Sequence, residues 1–193
     1  MSIDAFLPYI TSKLAEKMGN ALAKGIISGK GKPAQGDNSF KPQARGIKTV
    51  LEAEDNTPQV VTYTSEITYD DLTTAMGKVK SGYSANACFY ATNSTIWNQI
   101  AHIKDTTGRP IFIPDATLGG VGRLFGKIVK EEDAMKDGEI LLGAINKGYI
   151  MNINEDMTIY TEDHIGDRAT DYMGYAIVDG DVLTTKAFAL IKK

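Results

Sequence analysis

The chain has a single cysteine, Cys88, which rules out an intramolecular disulfide. The N-terminus lacks the basic, apolar and small-residue succession of a secretory signal, so the expectation is a soluble protein in a reducing interior. No apolar run approaches the roughly 20 residues that a membrane-spanning helix needs, so no membrane partner is expected. An excess of basic charge is also missing: the net charge is −3, which argues against a broad phosphate-neutralising surface and specific nucleic-acid binding. With 193 residues and 42% hydrophobic composition, the chain can bury a substantial core.

Apolar residues at Ile10, Leu14, Met18, Leu22 and Ile26 recur every four positions and predict one long amphipathic helix over residues 3–27. Ser2 or Asp4 is positioned to cap it, Pro8 is tolerable only near the first turn, and Ser28-Gly29 supplies a stop. At about 1.5 Å per residue the helix is roughly 36 Å long, a length suited to a spine. Residues 29–46 are dense in Gly, Pro, Asn and Lys and have no period, which predicts a loop.

Further along, a helix is predicted over residues 69–80 with Leu72, Met76 and Val79 on one side. A short buried strand follows at residues 87–91, then a helix capped by Asn93-Ser94 and carrying Ile96, Trp97, Ile100 and Ile103. Phe89 and Trp97 are both placed in the core. Residues 104–109 form a polar turn, and Pro110 to Pro114 an extended piece. Beyond Gly122 the pattern turns to strands over 124–129, 139–145, 148–153 and 157–161, with Asn154-Glu155-Asp156 among the punctuating turns. Strands over 172–178 and 182–191 close the chain, joined at Asp179-Gly180 as a hairpin. Helices early and strands late give an α+β fold.

Candidate chemistry is thin. The glycines at 29, 31 and 36 invite a phosphate-loop reading, and with it a small nucleotide- or metal-binding enzyme. Such loops, however, run from a strand into a helix and end in Lys-Ser or Lys-Thr, and here a helix leads in. Gly143 and Gly148 have the right interval, but Tyr149 stands where the lysine belongs. His164 lies among Glu162, Asp163 and Asp167 without a second histidine at helical spacing, so a solvated acidic turn is the simpler reading than a metal site. Cys88 reads as a packed thiol, with His102 as a conceivable base but no orienting group. Glu131-Glu132-Asp133 read as a solvated strand end. The expectation is no catalytic, cofactor-binding or metal-ligating residue, no cofactor, and no enzyme.

The order of segments resembles the major capsid protein family of tailed double-stranded DNA bacteriophages, specifically its C-terminal half. The resemblance rests on the helix and glycine loop through Gly36, and on the strand, helix and turn from Asn86 to Ile100 with Lys104-Asp105 and Gly108-Arg109. It continues in Leu124 to Val129, in Gly138 to Gly143 with Gly148-Tyr149, and in Asp179-Gly180 with Lys186-Ala187-Phe188. Lys127-Ile128 and Ala144-Ile145-Asn146 depart from the family pattern.

The resemblance implies the Hong Kong 97-like capsid fold. Residues 1–45 would be the spine helix and glycine loop of a peripheral domain, and 46–150 an axial domain. Residues 151–182 would be peripheral strands, and 183–193 a return to the axial domain. It further implies a structural subunit of a phage or prophage icosahedral capsid that self-assembles with other copies into pentamers and hexamers, alongside scaffolding or portal proteins. Such a subunit is made in the bacterial host cytoplasm and resides in the virion. A bacterial cargo-compartment shell is the alternative on the same fold. The N-terminal arm and extended loop of full family members have no counterpart here, so the chain alone is not expected to build a shell. Cross-linking between lysine and asparagine is likewise not expected, because residues 161–171 contain no asparagine.

Overall fold

A computed structural model describes residues 3–105, 107–115 and 121–193. In chain order the helices are α1 (Ile3–Ser28), α2 (Ile47–Ala53), α3 (Tyr69–Lys78), α4 (Ser81–Ser84), α5 (Asn93–Asn98) and α6 (Ile145–Gly148). The strands are β1 (Val60–Thr62), β2 (Cys88–Ala91), β3 (Phe112–Pro114), β4 (Gly122–Leu124), β5 (Lys127–Glu131), β6 (Ile140–Gly143), β7 (Tyr149–His164), β8 (Ala169–Val182) and β9 (Phe188–Lys192). They form a seven-stranded mixed sheet in the order β1-β9-β6-β2-β5-β4-β3 and a separate two-stranded ribbon of β7 and β8. The mixture of helices with a largely antiparallel sheet is the expected α+β class.

The seven-stranded sheet is covered on both faces, which explains why its central strands are unbroken apolar runs rather than alternating ones. In β9, Ala189 and Ile191 join Phe89, Ile96, Ile100, Leu72 and Val79 on the face covered by α3 and α5. Phe188 and Leu190 point the other way, into a second core with Ile47, Leu51, Ile27 and Tyr149. The predicted helical side of α3 is present: Leu72 and Val79 are buried, and Met76 packs beside them. Thr68 caps α3 in a reciprocal box with Asp71.

Several predicted boundaries differ. Ser2 lies outside the described residues, α1 already includes Asp4, and Pro8 is the sixth residue of the helix, in its second turn. Thr92, not Asn93-Ser94, caps α5, its hydroxyl accepting from the Thr95 N–H. The helix ends at Asn98, and residues 100–102 tighten to a 3₁₀ turn. Ile96 and Ile100 take the buried face, so Trp97, one residue round, is 44% exposed and meets Phe112 only edge-on at 5.7 Å. Trp97 is therefore a surface residue, whereas Phe89 is fully buried as expected.

The single strand expected over 124–129 is a hairpin. Phe125 and Gly126 both have positive φ, 50° and 75°, as a type I′ turn requires, and the Tyr69 ring stacks edge-on against Phe125. Conversely, two expected turns are straight. Residues 154–156 are absorbed as bulges between Ile153 and Thr158, so the two short predicted strands are one, β7. Asp179-Gly180 lies inside β8, and the ribbon turns instead at residues 165–168. Gly180 is in the strand because the Tyr149 ring lies over it: a Cβ there would sit 2.5 Å from the phenol oxygen.

Two phenols report on this packing. Burial first, then the charges of Asp181 and Asp179, push the Tyr149 hydroxyl up to about 12, and burial does the same for Tyr90, with Cys88 contributing. A folded-state pKa above the unfolded value of 10.0 favours the neutral form in the fold. The contribution is fully present below that value and lost as the pH rises through about 12. Spectrophotometric titration should show a late tyrosinate step coinciding with loss of circular dichroism. A late step absent from the folded protein would contradict the packing around Tyr149.

Candidate functional site

The residues singled out for chemistry do not converge. Gly29 and Gly46 are where two backbones cross: a Cβ on Gly29 would lie 2.1 Å from the Ala44 oxygen, and one on Gly46 would lie 2.3 Å from the Gly29 nitrogen. The Gly46 N–H donates to the Gly29 oxygen, and the Arg45 N–H donates to the Gly180 oxygen. The loop thus ties the end of α1 to β8. It also begins at the carboxyl end of α1, whose carbonyl dipoles disfavour a phosphate. Gly143 and Gly148 both face the Phe188 ring, at 2.3 and 2.5 Å from a notional Cβ, so their spacing reflects packing rather than a phosphate cradle.

Cys88 is half-buried on the sheet face opposite Phe89, because neighbouring strand side chains alternate. His102 follows Ile100 on the Phe89 side, so the sheet separates the two, and the conceivable thiol–imidazole pairing is excluded. His164 ends β7 and pairs across the ribbon with Asp171, its Nε2 lying 3.2 Å from the carboxylate. Glu131 ends β5 in an exposed position, and Glu132 Oε1 accepts from the Ala134 N–H. Among the described residues, no group of three His, Cys, Asp or Glu side chains could hold a metal ion. No helix among them is long and apolar enough to cross a membrane.

The turn at 104–109 is held by one side chain. Asp105 Oδ1 accepts from the Thr107 N–H and hydroxyl and from the Arg109 N–H, and Gly108 supplies a φ of 81°. These hydrogen bonds, the Thr107 hydroxyl first, keep the carboxyl below its ordinary range. Thr106 lies outside the described residues. Asp105 and Gly108 therefore build a turn.

What the structure does present is surface. The β7–β8 ribbon extends over thirteen paired positions, yet nearly all its side chains are exposed or half-exposed. One face, including Val178, Ala176 and Gly174, packs under α1, with Met18 lying over Gly174. A groove of about 500 Å³ remains there, bounded by Ala15, Met18, Leu22, Ile153 and Met157. The other face carries Tyr160, Met173, Tyr175 and Ile177, 39–57% exposed. Ile165 at the ribbon tip is 92% exposed. A two-stranded ribbon with one bare face is at most marginally stable alone, so such a surface gains stability when covered. Sequence periodicity missed this face because it splits β7 and β8 at the wrong residues; the alternation at Met173, Tyr175 and Ile177 was the available signal.

Comparison with known proteins agrees with this picture. The model of the phage capsid family matches residues 3–193. Among solved structures, the capsid of a native GTA particle aligns at 21% identity and a TM-score of 0.75, covering 96% of this chain and 64% of that one. The procapsid of satellite phage P4 aligns at 12% identity and TM-score 0.63, covering 97% and 67%. An encapsulin complex from Synechococcus elongatus aligns at 17% identity and TM-score 0.64, covering 96% and 63%. No curated protein matches. The chain spans about two thirds of the length of these solved chains, and at such identities the likeness is one of fold. A mixed sheet under α3 and α5, a long helix laid across a ribbon, and a family match over nearly the whole length lead to one conclusion: the chain belongs to the phage capsid family and has the Hong Kong 97-like fold.

Proposed function

We propose that the protein is a structural, non-enzymatic subunit of a phage or prophage capsid, acting by repeated contacts with copies of itself and residing in the virion. The observation that carries this reading is α1 laid across a long ribbon whose opposite face is apolar and bare, in a chain of the capsid family. In this proposal α1, its loop and the ribbon, residues 1–45 and 151–182, serve as the peripheral domain. Residues 46–150 and 183–193 serve as the axial domain. Scaffolding and portal proteins belong to the same proposal as further partners. A compartment shell is the second reading, favoured by the likeness to the encapsulin.

Mass spectrometry of purified, DNA-filled particles from an induced lysogen should find peptides of this chain among the most abundant. Particles built from a different capsid protein and lacking this one would sink the proposal. Recovery of the peptides only from DNA-free, enzyme-loaded particles would favour the compartment. Against the nucleotide-binding alternative at Gly29 to Gly36, thermal melting should show no saturable shift with nucleotides or divalent metals.

A further inference from the structure

Charge is divided unevenly along the chain. Residues 149–182 carry eight Asp and Glu against one Arg, whereas residues 1–45 carry seven Lys and Arg against three Asp and Glu. The net charge of −3 hides two opposed surfaces.

The negative one is the bare face of the ribbon. Directly opposed residues of an antiparallel pair share a face, and Tyr160 faces Met173 while Glu162 faces Asp171. Along β8 the outward residues are therefore Asp171, Met173, Tyr175, Ile177, Asp179 and Asp181, an apolar centre with carboxylates at both ends. From Asp171 to Asp179 this patch is about 27 Å long at roughly 3.4 Å per residue. Of the seven basic residues in 1–45, Lys13, Lys17 and Lys24 lie on α1 and the other four in the loop that follows it. Phe6, Lys13, Lys17 and Lys24 are separated by seven, four and seven residues, which places them within about 40° of arc along one line. All four are exposed, Phe6 by 45%, and Lys17 and Lys24 have no ion-pair partner among the described residues. From Phe6 to Lys24 the stripe is also about 27 Å long at 1.5 Å per residue.

We infer that the lysine stripe of α1 in one copy docks on the acid-flanked apolar face of the ribbon in a second copy. The two surfaces match in length; the lysines, spanning about 17 Å from Lys13 to Lys24, oppose the carboxylates toward one end, and Phe6 adds an exposed apolar residue beyond them. They cannot meet within one molecule, because α1 packs on the other face of its own ribbon through Met18 and Gly174. Each copy thus presents one donor and one acceptor surface. Such a contact is heterologous, so it propagates from copy to copy instead of stopping at a pair, as a shell requires. The pairs already made are exposed or half-exposed ones, Lys13 with Glu16, Asp171 with His164 and Asp181 with Arg45 of its own chain, so little is lost on docking. This inference rests on the self-assembly reading and names its contact.

The test uses sedimentation of the 193-residue chain over a concentration series. Lys13→Glu/Lys17→Glu/Lys24→Glu and, separately, Glu162→Lys/Asp171→Lys/Asp179→Lys should each weaken self-association at least about tenfold, because like charges then face each other. Added salt should weaken the wild-type association in the same direction. An equimolar mixture of the two variants should associate again, since each supplies the partner that the other lost. Melting curves within a few degrees of wild type establish that both variants are folded. Self-association that ignores both reversals overturns this contact while leaving self-assembly intact. A mixture no stronger than its components overturns the contact too, and so does a wild-type chain that stays monomeric throughout, which leaves the capsid reading to the mass spectrometry of particles.

Discussion

Phe188→Ala should lower the unfolding free energy by about 3–5 kcal/mol, the range for deleting a fully buried aromatic ring. Phe188 has no exposed surface and lies in the core shared by Ile47, Leu51, Tyr149 and Leu190. Its ring occupies the space that Gly143 and Gly148 leave by having no side chains, and Gly143 is also its direct β6 partner. When the ring is removed, the two glycines have nothing to move into the void, so the cavity persists and the cost falls toward the upper end. Urea denaturation should show the midpoint drop with an unchanged slope. A loss below about 1.5 kcal/mol would mean that the strand, turn and helix around the ring collapse together, contrary to the rigidity argued from packing.

Lys48→Met should cost about as much, roughly 3–5 kcal/mol, for a different reason. Lys48 on α2 and Glu139, just before β6, form an ion pair with each side chain only 12% exposed. The second Glu139 oxygen is already buried without a partner, so removing the ammonium leaves a carboxylate with no compensation. Replacing both, as Lys48→Met/Glu139→Leu, should restore most of the stability, because two charges no longer have to be desolvated. The comparison pair is Lys13–Glu16, about half exposed on both sides, where a single alanine should change stability by less than about 1 kcal/mol. A Lys48→Met loss no larger than that of the exposed pair would refute the burial argument. Glu52 on α2 pairs with Lys192 of β9, and Glu54, just past α2, accepts from the Thr185 hydroxyl, so the α2 region is also tied to the end of the chain.

Much of the fold was legible where a period runs long enough to be counted. α1, α3, β2 and the extended piece at residues 112–114 stand within a few residues of where the spacing puts them. α2 and β1 have no reading from the sequence, although Ile47 and Leu51, one turn apart and both fully buried, are the signal for α2. Seven residues give a periodicity argument too little to work with. Trp97 misled because size argues for burial, whereas its position beside Ile96 on a helix of six residues put it outside. The bare ribbon face was hidden by two polar clusters that looked like turns.

The amino-acid sequence by itself determined that residues 3–27 are helical and that the late chain is extended. Those properties depend on neighbours a few residues away. Which turn formers actually turn was decided only by tertiary structure. Phe125-Gly126 reverses the chain, but Asn154 to Asp156 and Asp179-Gly180 do not. Polar residues and glycine merely permit a bend, and whether it happens depends on which strand offers hydrogen bonds alongside. The ribbon's partner strand ran past both clusters, and the Tyr149 ring held Gly180 in line, so the chain stayed extended and its acid-flanked apolar face came to lie on the outside.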